Sequence, residues 1–385
     1  MSPPTATSAS AFAPPFALFL VCPPGLEPQL FDEAKALGLD DVRLAPGGVE
    51  AVGDWRAVWR ANLELRGAVR VMVALASFRA LHLAQLDKRL RRLDWSGLIP
   101  RGTAIHIEAQ CRRSRIYHAG AAAERLSRAL SDAVAAETVK TRAEGTLGLR
   151  LKLDDDLCTL SLDSSGAPLY QRGYKEAVGK APMRESMAAL FLRAAGFDGQ
   201  EPVLDPFCGS GTFVLEAAAL AAGLQAGATR SFAFEALAGH DADAFRALRR
   251  LPAGGLDGPA RYFGADRDAG VVRMATENAG RAGLGALASF ACHAISDAAP
   301  PPGLEPGLVI ANPPYGARVG EGPSLGPLYA TFGRVMRERF GGWRAALVTS
   351  EDGLARATGL PFRDPGPPVP HGGLRVRLWQ TGPLA

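Results

Sequence analysis

Residues 205–212, Asp-Pro-Phe-Cys-Gly-Ser-Gly-Thr, follow the short apolar run Val203-Leu204 and open the alanine-rich stretch Thr212–Ala222. A strand that runs into a glycine-rich turn and then into a helix is the local pattern of a ligand-binding α/β sheet. Gly209 and Gly211 let the backbone turn tightly and approach a ligand without Cβ interference. Asp205, at the strand end, can meet a cationic or hydroxyl group; Phe207 lies in the turn, and Thr212 is placed to cap the helix. A phosphate loop needs a lysine after its last glycine, and none follows Gly211. A dinucleotide turn needs a third glycine, and Gly-Ser-Gly-Thr-Phe-Val stops at two. A cofactor with a ribose and an amino-acid tail fits better, which points to S-adenosylmethionine (SAM).

Outward from this turn the chain repeats strand and helix. Arg261–Asp266 reads as a second strand with a helix over 268–282 behind it, and further strands fit 288–292, 308–311 and 345–349. The pattern from 164 onward predicts a Rossmann-like, doubly wound parallel sheet with its ligand at the strands' carboxyl ends. Asp266 closes the second strand, where an acid that reads ribose hydroxyls belongs. It follows Asp205 by 61 residues, where a minimal unit needs roughly 20, so residues 223–260 read as an insertion with a helix near 242–251. Asp297, after strand 288–292, is a candidate for an adenine amine, with an ordinary loop acid as the equal alternative.

The second motif is Asn312-Pro-Pro-Tyr315-Gly316, directly after the apolar Leu308–Ala311. Pro313 and Pro314 remove two backbone donors and stiffen the turn. The Asn312 side-chain oxygen and the Pro313 carbonyl are left as acceptors. An exocyclic base amine is a poor nucleophile because its lone pair is delocalised into the ring. Two acceptors that grip its hydrogens favour a pyramidal nitrogen and aim the lone pair at a methyl donor, which is catalysis by positioning. Tyr315 offers an aromatic face for a flipped base.

The N-terminal half has a different character. Residues 16–22 read as a strand, 28–39 as a helix, 55–65 as a helix and 70–75 as a strand, which predicts a ferredoxin-like α+β module over 15–70. In the next segment, 71–163, Leu147–Leu153 and Leu157–Leu162 alternate strictly around Asp154–Asp156, the mark of a hairpin. From Arg66 to Arg150 there are 16 Lys and Arg against 7 Asp and Glu, although the whole chain carries only +4. Lys88, Arg89 and Arg92 on one helix, with Arg112, Arg113 and Arg115 after a strand, are the candidate RNA-phosphate contacts. The five cysteines are scattered without a CxxC pair and the six histidines form no ligand pattern, so neither a disulfide framework nor a metal site is expected. Residues 1–14 are small, polar and proline-rich and read as a disordered tail. No apolar run reaches the ~18 residues of a membrane span, and the scattered cysteines fit reduced thiols in a cytoplasm.

Taken together, these residues resemble the THUMP-domain RNA methyltransferases similar to the large-subunit ribosomal RNA guanine-N2 enzymes. The markers, in order, are Cys22–Glu27, Gly47–Val49, Ala61–Arg66, Ser161–Asp163, Arg172–Tyr174, Ala181–Glu185 and the two motifs above. The resemblance implies that residues 71–163 form most of a THUMP module that holds RNA, ahead of a methyltransferase domain over 164–385. It implies that Asp205, Gly209, Gly211 and Asp266 hold SAM, and that Asn312 to Tyr315 hold guanine. The chain departs from the family pattern in carrying Gly372-Gly373 where Asn-Gly often precedes a strand, and no second methyltransferase domain follows in the 385 residues. Ribosomal RNA is the expected substrate. The alternatives are a tRNA guanine-N2 enzyme, an adenine-N6 or cytosine-N4 DNA methyltransferase, a protein-glutamine methyltransferase and a noncatalytic RNA-binding assembly factor.

Overall fold

The computed structural model describes residues 12–143, 145–175, 183–251, 259–316 and 324–385. The chain divides into two compact units. The first holds the described residues up to Val21, with those of Phe31–Leu169 and Arg230–Arg249; the second holds those of Cys22–Leu30, Tyr170–Thr229 and Arg250–Ala385.

The chain opens with β1 (Phe16–Val21), α1 (Glu27–Ala36), β2 (Asp40–Ala45), β3 (Gly48–Gly53), α2 (Trp55–Glu64) and β4 (Arg70–Arg79). This β-α-β-β-α-β order, with β1 antiparallel to both β3 and β4, is the ferredoxin-like arrangement. Next come α3 (Leu83–Leu90), β5 (Ala104–Arg112), α4 (Ala119–Val134), β6 (Glu137–Thr138), β7 (Leu147–Asp154) and β8 (Leu157–Asp163). All eight strands share one sheet, in the order β2-β3-β1-β4-β8-β7-β5-β6. The alternation in β7 buries Leu147, Leu149, Leu151 and Leu153 and turns Arg150 and Lys152 outward. Asp155 and Asp156 both take positive φ in the tight turn to β8, the conformation a two-residue hairpin requires.

The second unit is built on α5 (Glu185–Ala194), β9 (Val203–Asp205) and α6 (Thr212–Ala221). After α7 (Ala242–Leu248), which belongs to the first unit, it continues with β10 (Tyr262–Asp266), α8 (Ala269–Arg281), β11 (Ala288–Cys292), β12 (Leu308–Ala311), α9 (Gly326–Arg339), β13 (Arg344–Thr349), α10 (Asp352–Ala357), β14 (Val369–His371) and β15 (Leu374–Pro383). Its seven strands run β11-β10-β9-β12-β13-β15-β14. The first five are parallel, and the sheet is finished by the antiparallel β14–β15 hairpin, whose turn is Gly372-Gly373 with positive φ at both glycines. Strand order reverses direction at β9, between β10 and β12, and such a switch point opens a crevice at the carboxyl ends of the strands. Helix α6 is buried from Thr212 to Ala219 and so runs through the core instead of along its surface.

Two expectations change. Residues 1–11 of the expected tail lie outside the described residues, but Phe12 is buried with its ring 5.6 Å from Trp95. Within the stretch read as an insertion, 252–258 lie outside the described residues, and Arg230–Arg249 belongs to the first unit. There Phe234 stacks on Phe232 at 5.2 Å and meets Trp59 at 6.2 Å and Phe245 edge-on at 4.9 Å. With Phe234 only 1% exposed, Phe234→Ala removes the centre of this cluster and costs about 3–5 kcal/mol. Urea unfolding followed by tryptophan fluorescence checks it; an unchanged midpoint contradicts the packing described.

Candidate functional site

The register of the sheet brings the two motifs to one edge. Val203 and Leu204 lie opposite Tyr262 and Phe263 of β10 on one side and Leu308 and Val309 of β12 on the other. The glycine turn after β9, Asp266 at the end of β10 and Asn312 after β12 therefore stand at the carboxyl ends of three adjacent parallel strands.

In the glycine turn, Gly211 donates its N–H to the Cys208 carbonyl (2.8 Å) and Cys208 donates to Ala265 of the neighbouring strand (2.9 Å). Gly209 and Gly211 have φ of 51° and 87°, in the left-handed region that disfavours any side chain. Their surroundings differ. A Cβ at Gly211 would lie 3.0 Å from the Phe290 ring, whereas one at Gly209 would meet nothing within 4 Å. Gly211 is therefore required by packing, and Gly209 leaves open space above the turn.

Asp266 accepts the Gly209 N–H at Oδ2 (3.2 Å) and the Asp268 N–H at Oδ1 (3.0 Å), while Asp268 caps α8. Asp205 is buried and accepts the Phe207 N–H (3.0 Å). Burial pushes its carboxyl up to about 8, with the Phe207 hydrogen bond pulling it back and Asp266 adding to the rise. The turn thus holds a neutral acid poised to ionise beside any arriving cation.

The side chain of Phe207 faces the apolar core, its ring 6.1 Å from Phe332. Thr212 does not cap α6: the N-cap position is Gly211, without a side-chain cap. Its hydroxyl instead accepts from Lys175 Nζ (2.8 Å) and lies 3.5 Å from the Met183 carbonyl, to which Lys175 also donates (3.3 Å). Lys175 pairs with Glu185 at 3.2 Å, both side chains nearly fully buried. Glu216, one turn further along α6, accepts from Arg172 Nε (3.1 Å) and from the Tyr174 hydroxyl (3.1 Å). Sequence reasoning assigned no role to this polar layer beneath the first turn of α6. Its only signal was the presence of Arg172–Tyr174 and Met183–Glu185 among the markers of the resemblance; Ala181 and Pro182 of the last marker lie outside the described residues.

At the second motif, the Asn312 side-chain oxygen is buried and accepts no hydrogen bond among the described residues. A buried acceptor left unmet costs about 1–3 kcal/mol, a cost that a donor on a bound molecule would offset. Pro313 is buried, and nothing among the described residues donates to its carbonyl. The Pro314 carbonyl, in contrast, accepts from the Tyr329 hydroxyl of α9 (3.1 Å), which also lies 3.4 Å from Thr349 Oγ1. Gly316 donates to Glu351 (2.8 Å). Tyr329 and Glu351, both missed from sequence, hold the turn at Pro314 and Gly316. Tyr315 is half-buried; burial, then Tyr329, hold its phenol well above the usual range, so it is a neutral aromatic and not a base.

Asp297 makes no hydrogen bond to these groups among the described residues. It is exposed in a single turn beyond β11, where its side chain accepts from the Ser296 hydroxyl (3.3 Å).

The candidate phosphate contacts belong to the first unit. Lys88 and Arg89 end α3 exposed, and Arg92 follows, exposed as well. The intervening Arg91 is engaged by Asp87 (2.9 Å) and Asp132 (2.5 Å). Arg112 and Arg115 are exposed and make no ion pair among the described residues. Arg113 differs: Nε and Nη2 both hold Asp154 Oδ1 (3.1 and 2.8 Å). Among the described residues no three His, Cys, Asp or Glu are grouped to hold a metal ion, and no helix is long and apolar enough to cross a membrane.

Residues 172–361 match the model of the RMKL-like methyltransferase domain, and residues 17–72 match that of the RlmL ferredoxin-like domain. Over 362 residues the chain is 36% identical to the ribosomal RNA large subunit methyltransferase K/L of Syntrophotalea carbinolica, an alignment covering 90% of this chain and 51% of that protein. The chain spans about half the length of the curated relatives it matches. Among solved structures it is similar to a methyltransferase complexed with S-adenosylhomocysteine (TM-score 0.82, 24% identity, 96% of this chain and 98% of that one). It is also similar to a protein of Listeria monocytogenes described as a predicted N6-adenine-specific DNA methylase (TM-score 0.80, 28% identity, 96% and 97%).

Proposed function

Since the chain belongs to the RMKL-like methyltransferase family, we propose that it transfers a methyl group from SAM to the exocyclic N2 amine of a guanine in structured RNA, large-subunit ribosomal RNA first of all. The observation that carries this reading is the buried, unmet oxygen of Asn312 on a turn stiffened by two prolines and clamped by Tyr329. A base amine supplies the donor that oxygen lacks. A second hydrogen of the same amine suits the Pro313 carbonyl, and Tyr315 supplies a face for the flipped base.

SAM fits the groups across the sheet edge. The open space above Gly209 admits the cofactor's chain, Asp266 suits ribose hydroxyls, and Asp205 suits the cationic α-amino group. SAM supplies an electrophilic methyl on sulfur. The protein's part would be to hold that methyl in line with the amine nitrogen; the sulfur would keep the electron pair of the broken S–CH3 bond as S-adenosylhomocysteine leaves, and the amine proton would pass to solvent. Phe207 contributes through its backbone and its packing on the core, and Asp297 remains a candidate only for the adenine amine. In the first unit, residues 71–163 are the proposed RNA-holding module, with Lys88, Arg89, Arg92, Arg112 and Arg115 as phosphate contacts. Arg113 serves that surface through Asp154. Cytoplasmic location follows from an RNA substrate of this kind.

The state of Asp205 gives a pH test. Its folded-state carboxyl holds a proton up to about 8, while in the unfolded chain it ionises near ~3.9. The folded state therefore binds more protons between these values, and this group's contribution to stability falls as pH rises through that window. A cation arriving at Asp205 favours the anion, so SAM binding releases a proton and tightens as pH climbs toward 8. Calorimetry in buffers of different ionisation enthalpy reads that proton; Asp205→Asn abolishes the release. Equal release by both proteins would remove Asp205 from the cofactor site. The function as a whole is tested by incubating the purified chain with radiolabelled SAM and, separately, ribosomal RNA, tRNA, DNA and protein. Label in RNA supports the proposal, and label confined to DNA or protein replaces it.

A further inference from the structure

Among the described residues the most exposed large apolar side chain is Tyr117, at 83%. It stands in the loop between β5 and α4, flanked by Ile116, which is 4% exposed and anchors the loop in the core. The backbone on either side is tied down. Arg115 N–H donates to Asp156 Oδ1 (2.7 Å), Ser114 Oγ donates to the Arg112 carbonyl (2.7 Å) and accepts from Asp156 N–H (3.0 Å), and His118 caps α4 through Nδ1. These bonds hold the loop on both sides of a tyrosine that has no partner among the described residues, an arrangement that lowers the ordering cost of any ligand that stacks there.

The surroundings are cationic in spite of three aspartates. Arg112, Asp154, Leu157 and Arg79 lie in one row across β5, β7, β8 and β4. Asp154 is matched by Arg113 and by Lys152 (3.7 Å), Asp155 by Arg79 (4.0 Å), and Asp156 is spent on the Arg115 N–H. The carboxylates hold the loop and leave Arg112 and Arg115 facing solvent beside the ring. Two residues span at most about 7 Å of chain, so Arg115 and Tyr117 can meet the phosphate and the base of one nucleotide.

We propose that this loop is a grip for single-stranded RNA, in which Tyr117 stacks on an unpaired base while Arg112 and Arg115 take the flanking phosphates. It rests on the RNA reading above and adds to it the class of RNA held at this point. A paired base hides both faces, so an A-form duplex offers the ring nothing to stack on.

The test uses the full chain, fluorescein-labelled oligouridylate and an RNA duplex of equal length, with anisotropy measured across a salt series. Tyr117→Ala weakens oligouridylate binding roughly tenfold at every salt concentration, with the log–log slope unchanged because stacking releases no counterions. Tyr117→Phe restores the affinity. Arg115→Gln flattens the slope by about 0.7 units. Duplex binding is the same for Tyr117→Ala as for wild type. If Tyr117→Ala binds oligouridylate as wild type does, or loses duplex and single strand equally, the stacking grip is overturned while the RNA reading stands. A wild-type chain that binds neither RNA overturns both.

Discussion

Replacing Asn312 with alanine should lower kcat by roughly 100- to 1,000-fold, the range seen when one preorganised polar contact to a reacting group is removed. SAM affinity should not change. The substitution takes away a buried side-chain oxygen at this turn that has no hydrogen-bond partner among the described residues. On the proposed reading that oxygen matters chiefly as the amine attacks, so the loss should fall on turnover more than on substrate binding. The Tyr329 clamp on Pro314 stays in place, so the turn itself survives. Single-turnover methylation with saturating SAM and RNA reads the effect. A variant that reacts at the wild-type rate would show Asn312 to be a turn residue only.

Gly209→Val should weaken SAM binding roughly 100-fold, equivalent to about 2.7 kcal/mol, while the protein remains folded. The left-handed φ of 51° makes any side chain here costly, yet a Cβ meets no protein atom within 4 Å. The added branches therefore project into the space assigned to the cofactor. Gly211→Ala is the contrasting case: its Cβ would press on the Phe290 ring at 3.0 Å, so it should lower the melting temperature as well as the affinity. Calorimetric titration with SAM, paired with thermal melts, separates the two. A Gly209→Val protein with undiminished affinity would place the cofactor elsewhere.

The elements of the candidate site were legible because they are local. Val203–Thr212 announces strand, turn and helix within ten residues, and Leu308–Gly316 does the same for the stiffened turn. The β7–β8 hairpin followed from strict alternation around Asp154–Asp156. What escaped was set by contacts distant in sequence. Thr212 looked like a cap, but Lys175, 37 positions earlier, holds its hydroxyl. Arg113 looked free, but the parallel pairing of β5 with β7 places Asp154 beside it. Tyr329 carries no signal in its own helix of being the clamp on Pro314, 15 residues before it. The aromatic residues of 230–249 gave no indication that they would join Trp59 in the first unit.

The central claim is that the Asn312 turn presents a guanine N2 amine to SAM. Its most direct test is nucleoside mass spectrometry of unmodified large-subunit ribosomal RNA after reaction with the purified chain and methyl-deuterated SAM. The account predicts deuterated N2-methylguanosine, absent from the Asn312→Ala reaction. Deuterated N6-methyladenosine as the product, or N2-methylguanosine formed equally well by the Asn312→Ala protein, would contradict it.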